Sequence, residues 1–306
     1  MPILRLGSRG SPLALVQAHQ VRGRLIASGM AEDAISITTF KTSGDRIQDR
    51  PLSEVGGKGL FTKELEEALL AGQIDAAVHS MKDMSTRLPD GLRIAAVLER
   101  EDVRDGFISL AHGRLVDLPK NAVFGTSSLR RQAQLLRLRP DLTIVGFRGN
   151  VQTRLKKLGD GVAMATLLAV AGLKRLEMAD RISEVIETDV LLPAAAQGAI
   201  GIEIRGGDDV TAHRVALLDH QPTHIAIVAE RAFLDTLDGS CRTPIAALAV
   251  FDKGQLEFRG EVISPDGRRH ASVARVAAAQ EAARMGADAG AEILARAGYD
   301  LFGARG

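Results

Sequence analysis

At 306 residues the chain exceeds what one ordinary hydrophobic core supports, so two or three domains are expected. Its 39 Lys and Arg stand against 38 Asp and Glu, a net charge of +1, and aromatic residues make up 3% with no Trp. This excludes a global field that draws in nucleic acid, and it leaves base-stacking platforms poorly supplied.

Ile3 to Leu6 reads as a strand, entered without a charged-then-apolar leader, and no apolar run approaches a membrane span. A cytoplasmic protein without a membrane partner is expected. Gly7-Ser8-Arg9-Gly10 is a turn, and Ser11-Pro12 gives an N-cap followed by proline at the first helical position. The helix runs through Leu13, Val16 and Gln20 to stop near Gly29. A strand feeding a helix start presents N–H groups at a positive dipole end, with Arg9 and Ser11 beside it. Taken alone, a plain βα turn with a solvated arginine is the favoured reading. Ala34 to Phe40 alternates as a second strand. Residues 42–59 look irregular, from Thr42-Ser43-Gly44-Asp45-Arg46 to Gly56-Gly57-Lys58-Gly59. A loop of that length suggests a lid, and the Walker spacing is absent. Phe61, Leu65, Ala68 and Leu69 share one face of a helix ending at Gly72.

Ile74 to Val78 is a buried strand ending in His79-Ser80-Met81-Lys82-Asp83. Polar residues at the end of such a strand mark the binding edge of an α/β sheet. Asp83 is either a surface ion-pair partner of Lys82 or a carboxylate that stabilises a developing cation. Leu92 to Leu98 is a further strand, and the charged run Glu99 to Asp105 is a first crossing between domains.

From Gly106 strands and helices alternate. Ala122 to Phe124 leads through Gly125-Thr126-Ser127-Ser128 into a helix bearing Arg130 and Arg131. Hydroxyls and guanidiniums at a helix start suit an anion, and cations there oppose the dipole unless an anion offsets them. Leu142 to Phe147 is a strand, and Arg148-Gly149-Asn150 turns into a helix carrying Arg154. The apolar stretch Val162 to Leu176 closes with Lys174 and Arg175. So many arginines at strand–helix edges prefer several carboxylates or phosphates at once. Leu191-Leu192-Pro193 begins a return, Ala194 to Ala199 turns through Gln197, and Ile200 to Ile204 is a strand. Two αβ lobes joined by two crossings make a hinged cleft.

The last part reads as α+β. A helix spans Ile225 to Leu237, strands span Ile245–Val250, Leu256–Val262 and Arg268–Val276, and an alanine-rich helix spans Ala277 to Ala297. Between them lies the single cysteine, in Asp238-Gly239-Ser240-Cys241-Arg242-Thr243-Pro244. Turn formers place Cys241 on a loop, where the neighbouring Arg242 favours the thiolate. It is either a reactive attachment point or a small buried hydrophobe. One cysteine makes neither an internal disulfide nor a metal site.

These motifs, in this order, closely resemble the porphobilinogen deaminase (hydroxymethylbilane synthase) family. They are Arg5-Leu6-Gly7-Ser8-Arg9 with Ser11; Gly56-Gly57-Lys58-Gly59-Leu60-Phe61; His79-Ser80-Met81-Lys82-Asp83; Gly125-Thr126-Ser127-Ser128 with Arg130-Arg131; Arg148-Gly149-Asn150-Val151 with Arg154; Ala171-Gly172-Leu173 with Arg175; Gln197-Gly198-Ala199; and Gly239-Ser240-Cys241 with Pro244. The resemblance implies two hinged αβ lobes like type II periplasmic binding proteins plus a C-terminal α+β domain with a three-stranded antiparallel sheet. The expected divisions are residues 1–98 with 194–217, 99–193, and 218–306.

The resemblance also implies a transferase of porphyrin and haem biosynthesis. It condenses four porphobilinogens head to tail, with release of ammonia, on a dipyrromethane joined to Cys241 by a thioether. Asp83 takes the catalytic position. Ser80, Lys82, Asp83, Thr126, Ser128, Arg130, Arg131, Arg148 and Arg154 take cofactor positions. Arg9, Ser11, Arg148, Arg154, Arg175 and Gln197 take substrate positions, and Lys58 and Phe61 border a lid. No metal is implied, and a monomer is expected. The chain departs from the family pattern at Ala196, where glycine is usual, at Met84-Ser85, and at Met164, where aspartate is frequent. Two other readings compete: a bilobal polycarboxylate binder without catalysis, which has no need of Cys241, and a cysteine hydrolase, which needs His79 as its base.

Overall fold

The computed structural model describes residues 4–46, 59–238 and 244–298. Its strands are β1 (Leu4–Arg9), β2 (Ile35–Phe40), β3 (Ala76–Ser80), β4 (Leu92–Val97), β5 (Asp105–Ser109), β6 (Val123–Gly125), β7 (Thr143–Val145), β8 (Ala165–Ala169), β9 (Glu184–Ile186), β10 (Ile200–Arg205), β11 (Ile245–Asp252), β12 (Gln255–Ile263) and β13 (His270–Ala278). Its helices are α1 (Pro12–Ala27), α2 (Ser43–Arg46), α3 (Lys63–Leu70), α4 (Leu129–Leu138), α5 (Val151–Gly159), α6 (Val170–Arg175), α7 (Asp209–Ala216), α8 (Gln221–Thr236) and α9 (Ala282–Ala297).

Contacts divide the described chain into two units. One holds the residues up to Glu101 together with Gly198–His224; the other holds Asp102–Gln197 and the residues from Ile225 onward. In the first, strands run β2-β1-β3-β10-β4, with β10 antiparallel to both neighbours. In the second, β7-β6-β8-β5-β9 repeats that plan, with β5 as the antiparallel strand. The sequence shows no repeat, so the shared plan lies in the order of elements alone.

Both faces of the first sheet are covered. Alternation sends Ile200, Ile202 and Ile204 of β10 to one face, where they join Ala18, Val21 and Leu25 of α1. The other face takes Leu65 and Leu69 of α3, packed on Ile74 and Ala77. Gly7 lies close under Ile74, where a Cβ would displace the Ile74 Cδ1 methyl. In the second unit's five-stranded sheet, Phe107, Phe124 and Leu167 face one layer while Ile108, Phe147 and Leu168 face the other. Burial on both faces explains why these strands read as unbroken apolar runs.

The third sheet, β11-β12-β13, is antiparallel throughout. Lys253 (φ 46°) and Gly254 (φ 85°) make the two-residue hairpin turn between β11 and β12, a positive-φ pair whose twist matches that of the strands. Phe233 of α8 and Met285, Ala289 and Ile293 of α9 pack on the sheet.

Three expectations about the elements change. Ser43–Arg46, read as irregular, is a helical turn. The short edge strand β9 was not anticipated, because Glu184-Val185-Ile186 is too brief to show a period. Ala277 and Ala278 continue β13, and the terminal helix starts only at Ala282; alanine propensity favours a helix without fixing where it begins.

Candidate functional site

In the first unit, β1 and β3 run parallel and end at one edge. Ser11 accepts a hydrogen bond from Ala14 N and so opens α1 there, as its position before Pro12 suggests. A 3₁₀ turn over Met81–Asp83 follows β3. A small open cavity of ≈ 50 Å³ at this edge is lined by Arg9, Ser11, Gln17, Phe61, His79, Ser80 and Asp83, among others. The Arg9 guanidinium sits 4.3 Å from the centroid of the Phe61 ring, a cation–π contact that fixes where its charge points. Arg9 Nη1 stands 3.7 Å from Asp83 Oδ2, with the two side chains 20% and 33% exposed. That distance is an ion pair but not a hydrogen bond. Ser80 and the Gln17 amide exchange two hydrogen bonds, of 2.8 and 3.1 Å.

Deeper in the same wall, His79 Nε2 lies 3.0 Å from Glu203 Oε2, and both side chains are buried. Glu203 belongs to β10, where the register pairs Gly201 with His79 and Glu203 with Ala77. Glu66 of α3 adds a second carboxyl; burial pushes it above its usual range, with Glu203 adding to the rise and His79 opposing it.

The second unit holds a different arrangement. Ser128 caps α4 by accepting from Arg131 N, and Thr126 Oγ1 accepts from Ser128 N. Arg130 and Arg131 do not face solvent. Arg131 Nη2 and Arg130 Nη2 each donate to Asp105 at 2.7 Å, and Arg131 Nη1 and Arg130 Nη1 donate to the carbonyls of Leu167 and Leu192. Burial alone would raise the Asp105 carboxyl, but the two guanidiniums outweigh it and hold it well below the usual carboxylate range. A resident carboxylate on β5, which the sequence reading did not supply, therefore offsets part of their charge. The charge run 99–105 contained that residue, read only as a crossing. Two cations still face one anion, and Arg130 Nε has no hydrogen-bond partner in its buried position.

Gln197 joins the same buried cluster. Its amide is buried and donates to Val103 O at 2.8 Å and Asp105 Oδ1 at 2.9 Å, so the observed contacts anchor the return segment. The neighbouring Ala196 has φ 62°, and Glu230 of α8, fully buried, accepts from its N–H. The position where the family usually carries glycine thus keeps the left-handed backbone without it. Of the other departures, Met84 is buried and Met164 is exposed. Nothing in the structure accounts for Met164.

Asn150 caps α5 by accepting from Thr153 N, which places Arg148 just before that helix and Arg154 in its first turn. Arg175 ends α6, and Lys82 lies in the 3₁₀ turn beside Asp83. Cys241 and Lys58 lie outside the described residues. Asp105, Gln17, Glu203 and Glu230 were not singled out from the sequence. Only Glu203 carried a signal, as a carboxyl inside the apolar run Ile200 to Ile204.

Two family models match the chain. "Porphobilinogen deaminase, dipyromethane cofactor binding domain" covers residues 4–213, and "Porphobilinogen deaminase, C-terminal domain" covers residues 224–295. The chain belongs to the porphobilinogen deaminase family. Curated relatives include a porphobilinogen deaminase of Paracoccus denitrificans, 54% identical over 98% of this chain and 96% of that one. A chloroplastic porphobilinogen deaminase of Pisum sativum is 54% identical over 98% of this chain and 83% of that one. Among solved structures, a periplasmic substrate-binding protein of an ABC transporter from Coxiella burnetii aligns with TM-score 0.44 and 15% identity, over 74% of this chain and 96% of that one. A nutrient-binding protein from Burkholderia cenocepacia bound to methionine aligns with TM-score 0.44 and 14% identity, over 71% and 90%.

As a porphobilinogen deaminase, the chain is a transferase of tetrapyrrole biosynthesis. It condenses four porphobilinogen molecules head to tail into hydroxymethylbilane, releasing ammonia, on a covalent dipyrromethane. The residues present fit that group. Pyrroles bearing acetate and propionate need cations, and Arg9 stands at the open cavity of the first unit. Pyrrole N–H groups need an acceptor, and Asp83 is a carboxylate at an open cavity.

Proposed function

We propose that Asp83 is the catalytic carboxylate of this condensation, that Cys241 carries the dipyrromethane through a thioether, and that the arginines bind pyrrole carboxylates. The observation that carries this reading is Asp83 itself, partly exposed at an open cavity and only loosely paired with Arg9 at 3.7 Å. A carboxylate so placed keeps lone pairs for ring N–H groups and for the positive charge that develops on the substrate pyrrole as ammonia leaves. Arg9, held over Phe61, with Ser11 takes a substrate carboxylate. Arg148, Arg154 and Arg175 take others, and Gln197 serves by anchoring its segment. Ser80, Lys82, Thr126, Ser128, Arg130 and Arg131 hold the primer. The primer supplies the acceptor ring carbon of the first condensation. Lys58 and Phe61 border the lid.

The proposal includes three domains, residues 1–98 with 194–217, 99–193 and 218–306, acting as a cytoplasmic monomer without nucleic-acid partners. The near-zero net charge and scarce aromatics support the last point. No helix among the described residues is long and apolar enough to cross a membrane.

The test is Asp83→Asn. An interaction that strengthens as charge develops affects the transition state more than ground-state binding. Turnover is expected to fall by about two to three orders of magnitude, as for loss of a preorganised electrostatic group, with folding intact. Turnover close to that of the parent enzyme would refute the assignment.

A further inference from the structure

We infer that His79 is the proton-transfer side chain of the Asp83 cavity, with its ring oriented by Glu203. This rests on the reading that the Asp83 cavity is where condensation occurs. Each condensation breaks the C–N bond of an aminomethyl group in its protonated, ammonium form, so the electron pair leaves with neutral ammonia. It forms a C–C bond to the free α-carbon of the acceptor pyrrole. The C–H electrons of that carbon then return to the ring, and its proton must go to a base. Released ammonia takes up one proton as ammonium, which balances the proton lost from carbon. The cavity therefore needs a group that accepts a proton and gives it up near neutral pH.

Asp83, paired with Arg9 across 3.7 Å at the cavity, is placed to face developing positive charge. An imidazole is the side chain whose ordinary range matches the transfer. His79 lines the cavity with Asp83. Its Nε2 is committed to Glu203, which leaves Nδ1 as the ring nitrogen able to serve the cavity. The charged groups that bear on the ring are Glu203 from β10 and Glu66 from α3, while Asp83 from the 3₁₀ turn and Arg9 from β1 line the same cavity.

Strand pairing does not require the pair. The β3–β10 ladder already joins these strands, and a buried ionisable pair is often no more stabilising than apolar residues of the same size. Glu203 Oε1 is also buried without a hydrogen-bond partner, a cost that pinning two strands does not explain. A carboxylate behind a histidine sets the tautomer and stabilises the imidazolium that proton uptake creates.

The experiment uses the holoenzyme and His79→Gln, whose amide can still donate to Glu203 but cannot relay a proton. Two quantities are read besides the thermal midpoint. One is turnover. The other is deuterium uptake from D2O at the terminal α-carbon of the primer without substrate, measured by mass on the primer-bearing peptide after back-exchange of N–H groups. His79→Gln is expected to fold and carry the primer, to lose about 10²- to 10⁴-fold in turnover, and to slow the α-carbon exchange in step. Parental turnover, or lost turnover with parental exchange, would overturn the inference. If His79→Gln fails to fold, Glu203→Gln decides. Slower exchange with the primer in place supports the relay, and parental exchange and turnover contradict it. Asp83→Asn at parental turnover would instead sink the site assignment itself, whatever His79 does.

Discussion

Two of the aspartates that meet arginines in this molecule, Asp105 and Asp83, are held in opposite ways. Asp105 is fully buried, and both its oxygens accept from Arg130, Arg131 and Gln197. Asp83 is a third exposed and meets Arg9 at 3.7 Å, beyond hydrogen-bond length. The first carboxylate has little capacity left, so its work is structural: it joins β5, α4 and the return segment. The second keeps its acceptor capacity for a ligand. Residue type does not distinguish the two; burial and saturation do.

The largest effect that would sharpen this contrast is on folding. Asp105→Asn leaves two buried guanidiniums without their anion, and about 3–5 kcal/mol of stability should be lost in urea denaturation. Asp83→Asn should leave the urea midpoint nearly unchanged. Equal loss in both variants would break the distinction. The Asp105 contribution also has a defined pH dependence. A carboxyl held below its usual range stabilises fully above the unfolded value, near 4, and loses that contribution as pH falls toward the lowered folded value. The stability gap between parent and Asp105→Asn should therefore be widest at neutral pH and narrow in acid.

Next comes Arg9→Leu, which removes the cation proposed to partner a substrate carboxylate. The KM for porphobilinogen should rise by about tenfold or more, with the thermal midpoint little changed. A smaller effect is expected at Ala196. Its left-handed backbone (φ 62°) costs a side-chain residue about 1 kcal/mol, so Ala196→Gly should stabilise by up to that amount in chemical denaturation. The smallest concerns Glu66, whose carboxyl burial holds above its usual range. A raised acid destabilises the fold once pH passes that raised value and costs nothing below the unfolded one. Glu66→Gln should raise the thermal midpoint slightly at neutral pH, with the gain vanishing in acid.

Much of the fold was legible because its cues are local. Ser11-Pro12, Ser128 and Asn150 all start helices where their side chains predict. Lys253-Gly254 makes the hairpin between two alternating runs. The Asp83 cavity was legible as polar residues ending an apolar strand. What stayed hidden depends on long-range contact. Asp105 finds Arg130 and Arg131 across 25 and 26 residues, and Glu203 finds His79 across 124. No local pattern encodes such partners, so the carboxylate shared by these two arginines was not read from the sequence.

The tether is tested most directly by the intact mass of freshly isolated parent protein and of Cys241→Ser. The parent should exceed its sequence mass by two pyrrole units, and Cys241→Ser should match its sequence mass. A parent at sequence mass while active, or a Cys241→Ser protein that still carries the pyrroles, would contradict it.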